Sequence, residues 1–295
     1  MKLAAIDVGS NAVRLLISNV FEVGEWLPLV RKADLYRVPV RLGDDAFLRG
    51  VISEEKVVDF IDTMAAFKKL MGVCRVRDYL ACATSALRTA NNGEAIAERV
   101  RHEAGIYLRI IDGAEEARYI AMNRLDGRYR KGRYLFVDVG GGSTELTLFE
   151  DGFELGSASF NIGTLRLKEG LVAEKHWKEM RRWVRSHCRK KRKIRAIGSG
   201  GNINRIFKMT RMHQDNPLSL KRLKEIHADL ATLSLEGRMV QVGLRPDRAD
   251  VIVPAGRIFI SVMEWAGIKK ILVPQIGLGD GLVHTLYLKH RDGPF

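Results

Sequence analysis

An aspartate, three consecutive glycines, two hydroxyls and a glutamate fall within one stretch, Asp138-Val-Gly-Gly-Gly-Ser-Thr-Glu145. Glycine loses more backbone freedom on folding than any other residue, so a run of three persists where the chain turns tightly or something approaches closely. A loop of this kind points successive N–H groups into an anion-binding concavity. Gly140, Gly141, Gly142, Ser143 and Thr144 are therefore candidate phosphate-binding residues, and the flanking Asp138 and Glu145 suit a hard cation held near phosphate oxygens. An ordinary hairpin with a glycine-rich turn is the alternative reading of this stretch alone.

A second copy argues against that alternative. Asp7-Val-Gly-Ser-Asn-Ala-Val-Arg14 has the same order of apolar strand, Asp-Val-Gly, small polar loop and returning apolar strand, about one domain length earlier. Gly9, Ser10 and Asn11 form its loop. A repeat at this spacing implies two similar domains, each presenting a phosphate loop, and two facing loops make a cleft. A third glycine loop, Gly198, Ser199, Gly200 and Gly201, follows the apolar run Ile194–Ile197 and opens a helix. Anion binding at that helix N-terminus is one reading, and a tight strand-to-helix turn the other. Arg88 lies just beyond a predicted strand end, where open α/β sheets bind ligands, so it is a candidate phosphate clamp unless it is a solvated loop arginine.

The positioning elements follow from periodicity and punctuation. Residues 3–8 and 13–20 read as a hairpin, with a third strand within 27–41 and a loop over 43–51. Ser53 can N-cap a helix whose start carries Glu54 and Glu55. A strand over 75–82, a helix from Gly93 to Gly105, a strand over 106–111 and a helix opening at Asp112 give an alternating α/β domain. Residues 126–133 form a short basic connector, which sets a domain boundary between 1–125 and 126–295, with a C-terminal helix at about 282–295 able to pack back on the first domain. In the second domain 133–139, 144–150 and 153–160 read as a meander turned at Asp151-Gly152. Helices follow over 162–171 and 176–190, then 219–244 and Ala249–Gly267, and a last strand runs Lys270–Val273 before Gly277-Leu-Gly-Asp280-Gly281 leads into the terminal helix.

The chain has 295 residues and a net charge of +14, which draws polyanions: nucleic acid, anionic membrane and polyphosphate. Arg181 to Arg195 is the densest basic run, readable as a solvated helix face or as a polyanion contact. Trp177 and Trp183 beside it read as core, and no nucleic-acid motif accompanies them. Three cysteines without metal-ligand spacing exclude a disulfide scaffold and a zinc module. No apolar stretch is long enough to span a membrane, the first residues read as a core strand rather than a signal peptide, and a cytoplasmic location is expected.

Together, Asp7-Val-Gly-Ser-Asn-Ala-Val-Arg-Leu-Leu-Ile, Ala83-Thr-Ser-Ala-Leu-Arg88, Gly113-Ala-Glu-Glu-Ala-Arg118, Asp138 to Glu145 and Gly198-Ser-Gly-Gly-Asn resemble the exopolyphosphatase / guanosine pentaphosphate phosphohydrolase (Ppx/GppA) family, in its order and spacing. The resemblance implies two actin-like, ribonuclease-H-like α/β domains with a cleft between them. It implies that Glu116 activates water, that Asp138 and Glu145 are the magnesium-associated carboxylates, and that Arg88 and the three glycine loops hold phosphates. Asp7, the matching acid of the first copy, joins the expected metal set, with Mg²⁺ or Mn²⁺ as the ion. A homodimer is also implied, with no specific nucleic acid and no membrane as partner.

The expected reaction is removal of terminal phosphate from inorganic polyphosphate, with guanosine pentaphosphate as the other substrate of that class. Two further classes stay open: an ATP-dependent phosphotransferase, and a non-catalytic sensor of polyphosphate or nucleotide alarmones. Ala12 stands where relatives often have serine, Ile276-Gly-Leu-Gly-Asp-Gly281 lacks an arginine that many carry, and Asn204 takes a position that is lysine in some. Longer relatives add C-terminal helical domains, so a shorter, more open site and weaker processivity are expected.

Overall fold

The computed structural model describes residues 1–22, 28–123, 131–188, 194–213 and 215–292. The chain divides into two compact units, Met1–Arg128 with Gly277–Phe295, and Tyr129–Ile276. Most of the expected connector (126–130) and the centre of the basic run (189–193) lie outside the described residues.

The first unit contains β1 (Lys2–Val8), β2 (Val13–Glu22), β3 (Pro28–Val38), α1 (Leu42–Arg49), α2 (Glu54–Val73), β4 (Asp78–Ala83), α3 (Ser85–Thr89), α4 (Gly93–Ala104), β5 (Arg109–Ile110) and α5 (Gly113–Ala121). Its sheet runs in the order β3-β2-β1-β4-β5. The β1–β2–β3 pairings are antiparallel, and β1–β4 and β4–β5 are parallel. Successive side chains of β1 alternate between two cores: Ala4, Ile6 and Val8 face one, Leu3 and Ala5 the other. A strand buried on both faces reads as the continuous apolar run seen in the sequence.

The second unit contains β6 (Arg133–Val139), β7 (Thr144–Glu150), β8 (Phe153–Phe160), α6 (Thr164–Lys168), α7 (Glu174–Cys188), β9 (Ile194–Ser199), α8 (Gly201–Met209), β10 (Leu218–Ser219), α9 (Leu220–Thr232), α10 (Leu235–Val240), α11 (Pro246–Ala249), α12 (Ile252–Ala266) and β11 (Lys270–Leu272). Its sheet order is β10-β11-β9-β6-β7-β8. Read from β8, the first five strands repeat the order of the first unit, three antiparallel strands and then two parallel ones. This duplication bears out the expectation of two similar α/β domains. Asp151 and Gly152 both take positive φ, 51° and 87°, in the tight turn that joins β7 to β8.

Several local expectations change. The expected loop at 43–51 is helix α1, because Asp44 and Asp45 sit in its first turn, where acids are favourable. Ser53 stands at the head of α2, but its side chain does not cap that helix; the hydroxyl donates to Asp45 Oδ2 at 2.6 Å and the amide to the same oxygen at 3.0 Å. These bonds and Lys56 outweigh burial, which pushes the other way, and hold the Asp45 carboxyl below its usual range. Helix 219–244 breaks after Thr232, where Ser234 caps the short α10. The terminal helix α13 (Leu278–Asp292) starts earlier than expected and packs on α5, β1, β2 and β4 of the first unit. Among the described residues no helix is long and apolar enough to cross a membrane.

Gly281 explains one of the sequence's glycines by packing. A Cβ there would lie 1.8 Å from the Tyr119 carbonyl oxygen, so α13 meets α5 only with a bare backbone. Gly281→Ala should lower stability by about 1–3 kcal/mol or more, read as a drop in urea midpoint at unchanged slope. His227, on α9, packs against Gly256 of α12, and burial holds its ring pKa below the usual value, with the Arg257 charge adding to it. A depressed folded pKa gives stability that is present above the unfolded pKa of about 6.5 and lost as pH falls. Unfolding free energy should therefore decline between pH 7.5 and 5.5, and His227→Gln should shrink that decline.

Candidate functional site

The second unit places its acids by sheet register. Asp138 on β6 lies directly opposite Glu145 on β7. Asp138 is also level with Ser199 on β9, and Glu145 with Ser159 on β8. Directly opposed residues share a face, so Ser159, Glu145, Asp138 and Ser199 form one row across four strands. The row is hydrogen bonded within itself: Ser199 Oγ donates to Asp138 Oδ1, and Ser159 Oγ donates to Glu145 Oε1 at 2.8 Å. Like charges directly opposite repel, so two neighbouring carboxylates with oriented oxygens are a donor set suited to a hard divalent cation.

The glycine loop closes between these strands, with Gly140 N donating to Ser143 O at 2.9 Å. Its carbonyls turn toward α6. Gly140 O accepts from Thr164 N at 3.0 Å, Gly141 O from Leu165 N at 2.8 Å, and Gly142 O from Arg166 Nε at 3.0 Å. Gly163 permits this approach, since a Cβ there would lie 2.3 Å from Gly141 O. The amides of Gly141 and Gly142 donate to no acceptor among the described residues. Ser143 Oγ is buried and has no hydrogen-bond partner among them. Thr144 differs from the expectation: its hydroxyl donates to Ile162 O at 2.5 Å and serves the loop's own structure.

The third loop separates into different roles. Gly198 is a packing glycine, since a Cβ would meet Ile271, Ile203 and Phe259 side chains at 2.9–3.3 Å. Ser199 uses its hydroxyl on Asp138. Gly200 has φ +99°, and a Cβ would stand 3.0 Å from Val139 O, so α8 begins hard against the end of β6. Gly201 opens α8, and its carbonyl accepts from Arg248 Nη1. Arg248, at the end of α11, brings a guanidinium to this helix start. Nothing in its sequence neighbourhood pairs it with a glycine 47 residues away.

The first unit repeats the loop and changes the charges. Gly9 N donates to Ala12 O at 3.2 Å, the same closure as Gly140 to Ser143. Ser10 O accepts from Gly43 N at the start of α1, much as the Gly141 carbonyl accepts from α6. Ser10 Oγ and Ser85 Oγ are 2.9 Å apart, and Asn11 is half-buried. The residue opposite Asp7 is Arg14, where the second unit has Glu145, and Arg14 Nη1 donates to Asp7 Oδ2 at 2.7 Å. Level with Asp7 on the other side stands Cys82, whose thiol burial pushes up to about 12, which removes it as a nucleophile.

Arg88 and Glu116 come together within this unit. Arg88 Nη1 donates to Ile111 O at 2.5 Å and lies 3.7 Å from Glu116 Oε2. Glu116 is buried in the first turn of α5, which Asp112 caps by accepting from Glu115 N at 2.7 Å. The helix N-terminus and the guanidinium both present positive charge to that carboxylate. Glu115 points elsewhere and pairs with Arg109 at 2.8 Å.

A model of the Ppx/GppA phosphatase family matches residues 35–290. Exopolyphosphatase 1 of Mycobacterium leprae is 24% identical over 315 residues, spanning 99% of this chain and 91% of that protein. The guanosine-5'-triphosphate,3'-diphosphate pyrophosphatase of Aliivibrio fischeri is 25% identical over 300 residues, 96% of this chain and 59% of that protein. Among solved structures, an exopolyphosphatase from Cytophaga hutchinsonii superposes with a TM-score of 0.84 at 24% identity, covering 100% of this chain and 99% of that one. The Aquifex aeolicus family member gives 0.78 at 24% identity, covering 98% of each. With the duplicated fold, the paired glycine loops and a family match over most of its length, the chain belongs to the Ppx/GppA phosphatase family and is an enzyme of that class, a hydrolase of phosphoanhydride bonds.

Proposed function

We propose that this enzyme removes the terminal phosphate of inorganic polyphosphate, with Glu116 as the base that takes a proton from the attacking water. The observation that carries this reading is the glycine loop at 140–143. All three of its glycine carbonyls are bonded away toward α6 and Arg166, so what remains for a ligand is amide N–H and the buried Ser143 hydroxyl. That surface complements phosphoryl oxygens and nothing cationic. Phosphoryl transfer asks the protein for positioning and for charge stabilisation, and fixed N–H donors and a guanidinium supply both without reorganising. Arg88, held against Ile111 O, is assigned to a non-bridging phosphate oxygen.

Asp138 and Glu145 would hold the divalent metal, Mg²⁺ or Mn²⁺. When bound, it supplies positive charge to phosphate oxygens on which negative charge accumulates. Ser199 and Ser159 orient the two carboxylates for that task. Asp7 is assigned a different part: its bond to Arg14 makes it the anchor of the first loop.

A net charge of +14 favours a long polyanion over a nucleotide. Guanosine pentaphosphate is the second reading, supported by the similarity along 96% of the chain to a relative named for that chemistry. Three free cysteines accord with a cytoplasmic setting.

Glu116→Gln should reduce turnover by about 10²–10⁴-fold while polyphosphate binding persists, and unchanged turnover would remove Glu116 from the mechanism. Ser199→Ala should raise the metal concentration needed for half-maximal activity by about tenfold or more, because the Asp138 carboxylate loses its orienting donor. Phosphate release from polyphosphate and from guanosine pentaphosphate should be compared under identical conditions. Faster release from polyphosphate is expected, and the reverse would exchange the two substrates.

A further inference from the structure

The basic run that the reaction chemistry leaves unused lies partly on α7, whose two faces are sharply different. Trp177, Met180, Val184 and Cys188 are buried in the core of the second unit. Trp177 packs edge-on against Trp265, and the half-buried Trp183 packs against Phe160 and His187. On the opposite face Lys175, Lys178 and Arg182 follow each other at spacings of three and four, which aligns them along one side of the helix. All three are exposed, as is Arg181 at the edge of the row. Arg185, half-buried, continues the row by one further step. The row extends about 15 Å along the helix axis.

Among the described residues the surface holds both acid-paired cations and exposed cations without a salt bridge, such as Lys69, Lys221 and Lys270, and on α7 the latter kind form a line. Arg99 pairs with Glu54 and Glu103, Arg222 with Glu225, and Lys224 with Glu264. Lys175, Lys178, Arg181 and Arg182 have no acidic partner within salt-bridge distance among the described residues. The acids on the helix, Glu174 and Glu179, flank the row, and Glu179 lies 3.6 Å from His176. Lys175, Lys178 and Arg182 stand three and four residues apart, so their like charges repel, and an anion lying along this side of the helix relieves that repulsion.

We propose that this face of α7 binds the distal part of a polyphosphate chain, as an anion-tracking surface additional to the residues that hold the reacting phosphate. The proposal rests on polyphosphate being the substrate. The chemistry of the face selects among polyanions. Its aromatic side chains are turned into the core, so it offers no stacking platform for bases. Its apolar residues are buried or, at Trp183, packed half-buried against Phe160 and His187, so it offers little to insert into a bilayer. What remains is charge at regular intervals, which fits a linear polymer carrying at least one negative charge per unit and no other recognisable group. Such charge–charge attraction acts through long-range steering and weakens with salt.

The test is the triple variant Lys175→Ser, Lys178→Ser, Arg182→Ser, with Arg222→Ser as the control for loss of an exposed, acid-paired cation. For long-chain polyphosphate, KM should rise about tenfold, because three weak charge–phosphate attractions are removed together, and its salt dependence should flatten. KM for tripolyphosphate, and kcat for both substrates, should stay unchanged. Equal effects on both chain lengths, or none, would overturn the proposal. Equilibrium binding of fluorescent long-chain polyphosphate, single-stranded RNA and anionic vesicles to wild type and variant completes the test. Polyphosphate binding should weaken in the variant, and its retention, or a larger loss for RNA or vesicles, would overturn the assignment. If wild-type enzyme releases no phosphate from polyphosphate, the substrate reading fails by itself, and the binding comparison still decides the role of α7.

Discussion

The second unit depends on one electrostatic constraint: Asp138 and Glu145 face each other across two adjacent strands. Carboxylates opposed in this way repel, and a sheet ordinarily avoids the arrangement or fills one position with the opposite charge. The first unit does the latter, with Arg14 opposite Asp7 and a 2.7 Å hydrogen bond between them. The two units share strand order, loop closure and register, and differ at this one position in sign. The second unit instead places a serine on each outer strand, whose hydroxyl donates to and orients a carboxylate oxygen. Two opposed carboxylates whose oxygens the fold orients are a donor set suited to a divalent cation.

The glycine loop beside that pair follows the same logic for anions. A loop presents its N–H groups only if its carbonyls are satisfied elsewhere, since an unmet buried carbonyl is costly. Helix α6 and Arg166 meet that need, and Gly163 is the point where the backbones come close enough for it. Gly200, with its positive φ, likewise lets α8 start against the end of β6. The hairpin thus sets two carboxylates suited to a cation beside amide N–H groups suited to an anion, the combination that the proposed phosphoryl chemistry calls for. The first unit holds Arg88 and the buried Glu116, set close to each other by the β4–α3 and β5–α5 turns.

Much of this was legible in the sequence because it rests on local pattern. The meander 133–160 appears with its expected strand limits, since alternation and the Asp151-Gly152 turn are short-range signals. Repetition of Asp-Val-Gly indicated the duplicated fold, and both loops close in the same way. What sequence did not show depends on residues far apart. Gly198 and Gly281 resemble functional glycines but make room for Ile271 and for the Tyr119 carbonyl. Thr144 and Ser199 have hydroxyls suited to phosphate, yet each is bonded to protein. Arg248 is invisible to any local reading, because only the fold brings it to Gly201. The loop expected at 43–51 is helical because its two aspartates favour a helix start as readily as a turn.

Direct measurement of metal binding tests the central claim, that the Asp138–Glu145 register builds the cation seat and the Asp7–Arg14 register does not. Mn²⁺ titration followed by electron paramagnetic resonance, on wild type and on Asp138→Asn, Glu145→Gln and Asp7→Asn, separates the two. The account predicts one site in the wild type that is lost in either second-unit variant and kept in folded Asp7→Asn. Undiminished Mn²⁺ affinity in Asp138→Asn and Glu145→Gln, or an equal loss in Asp7→Asn, would contradict it.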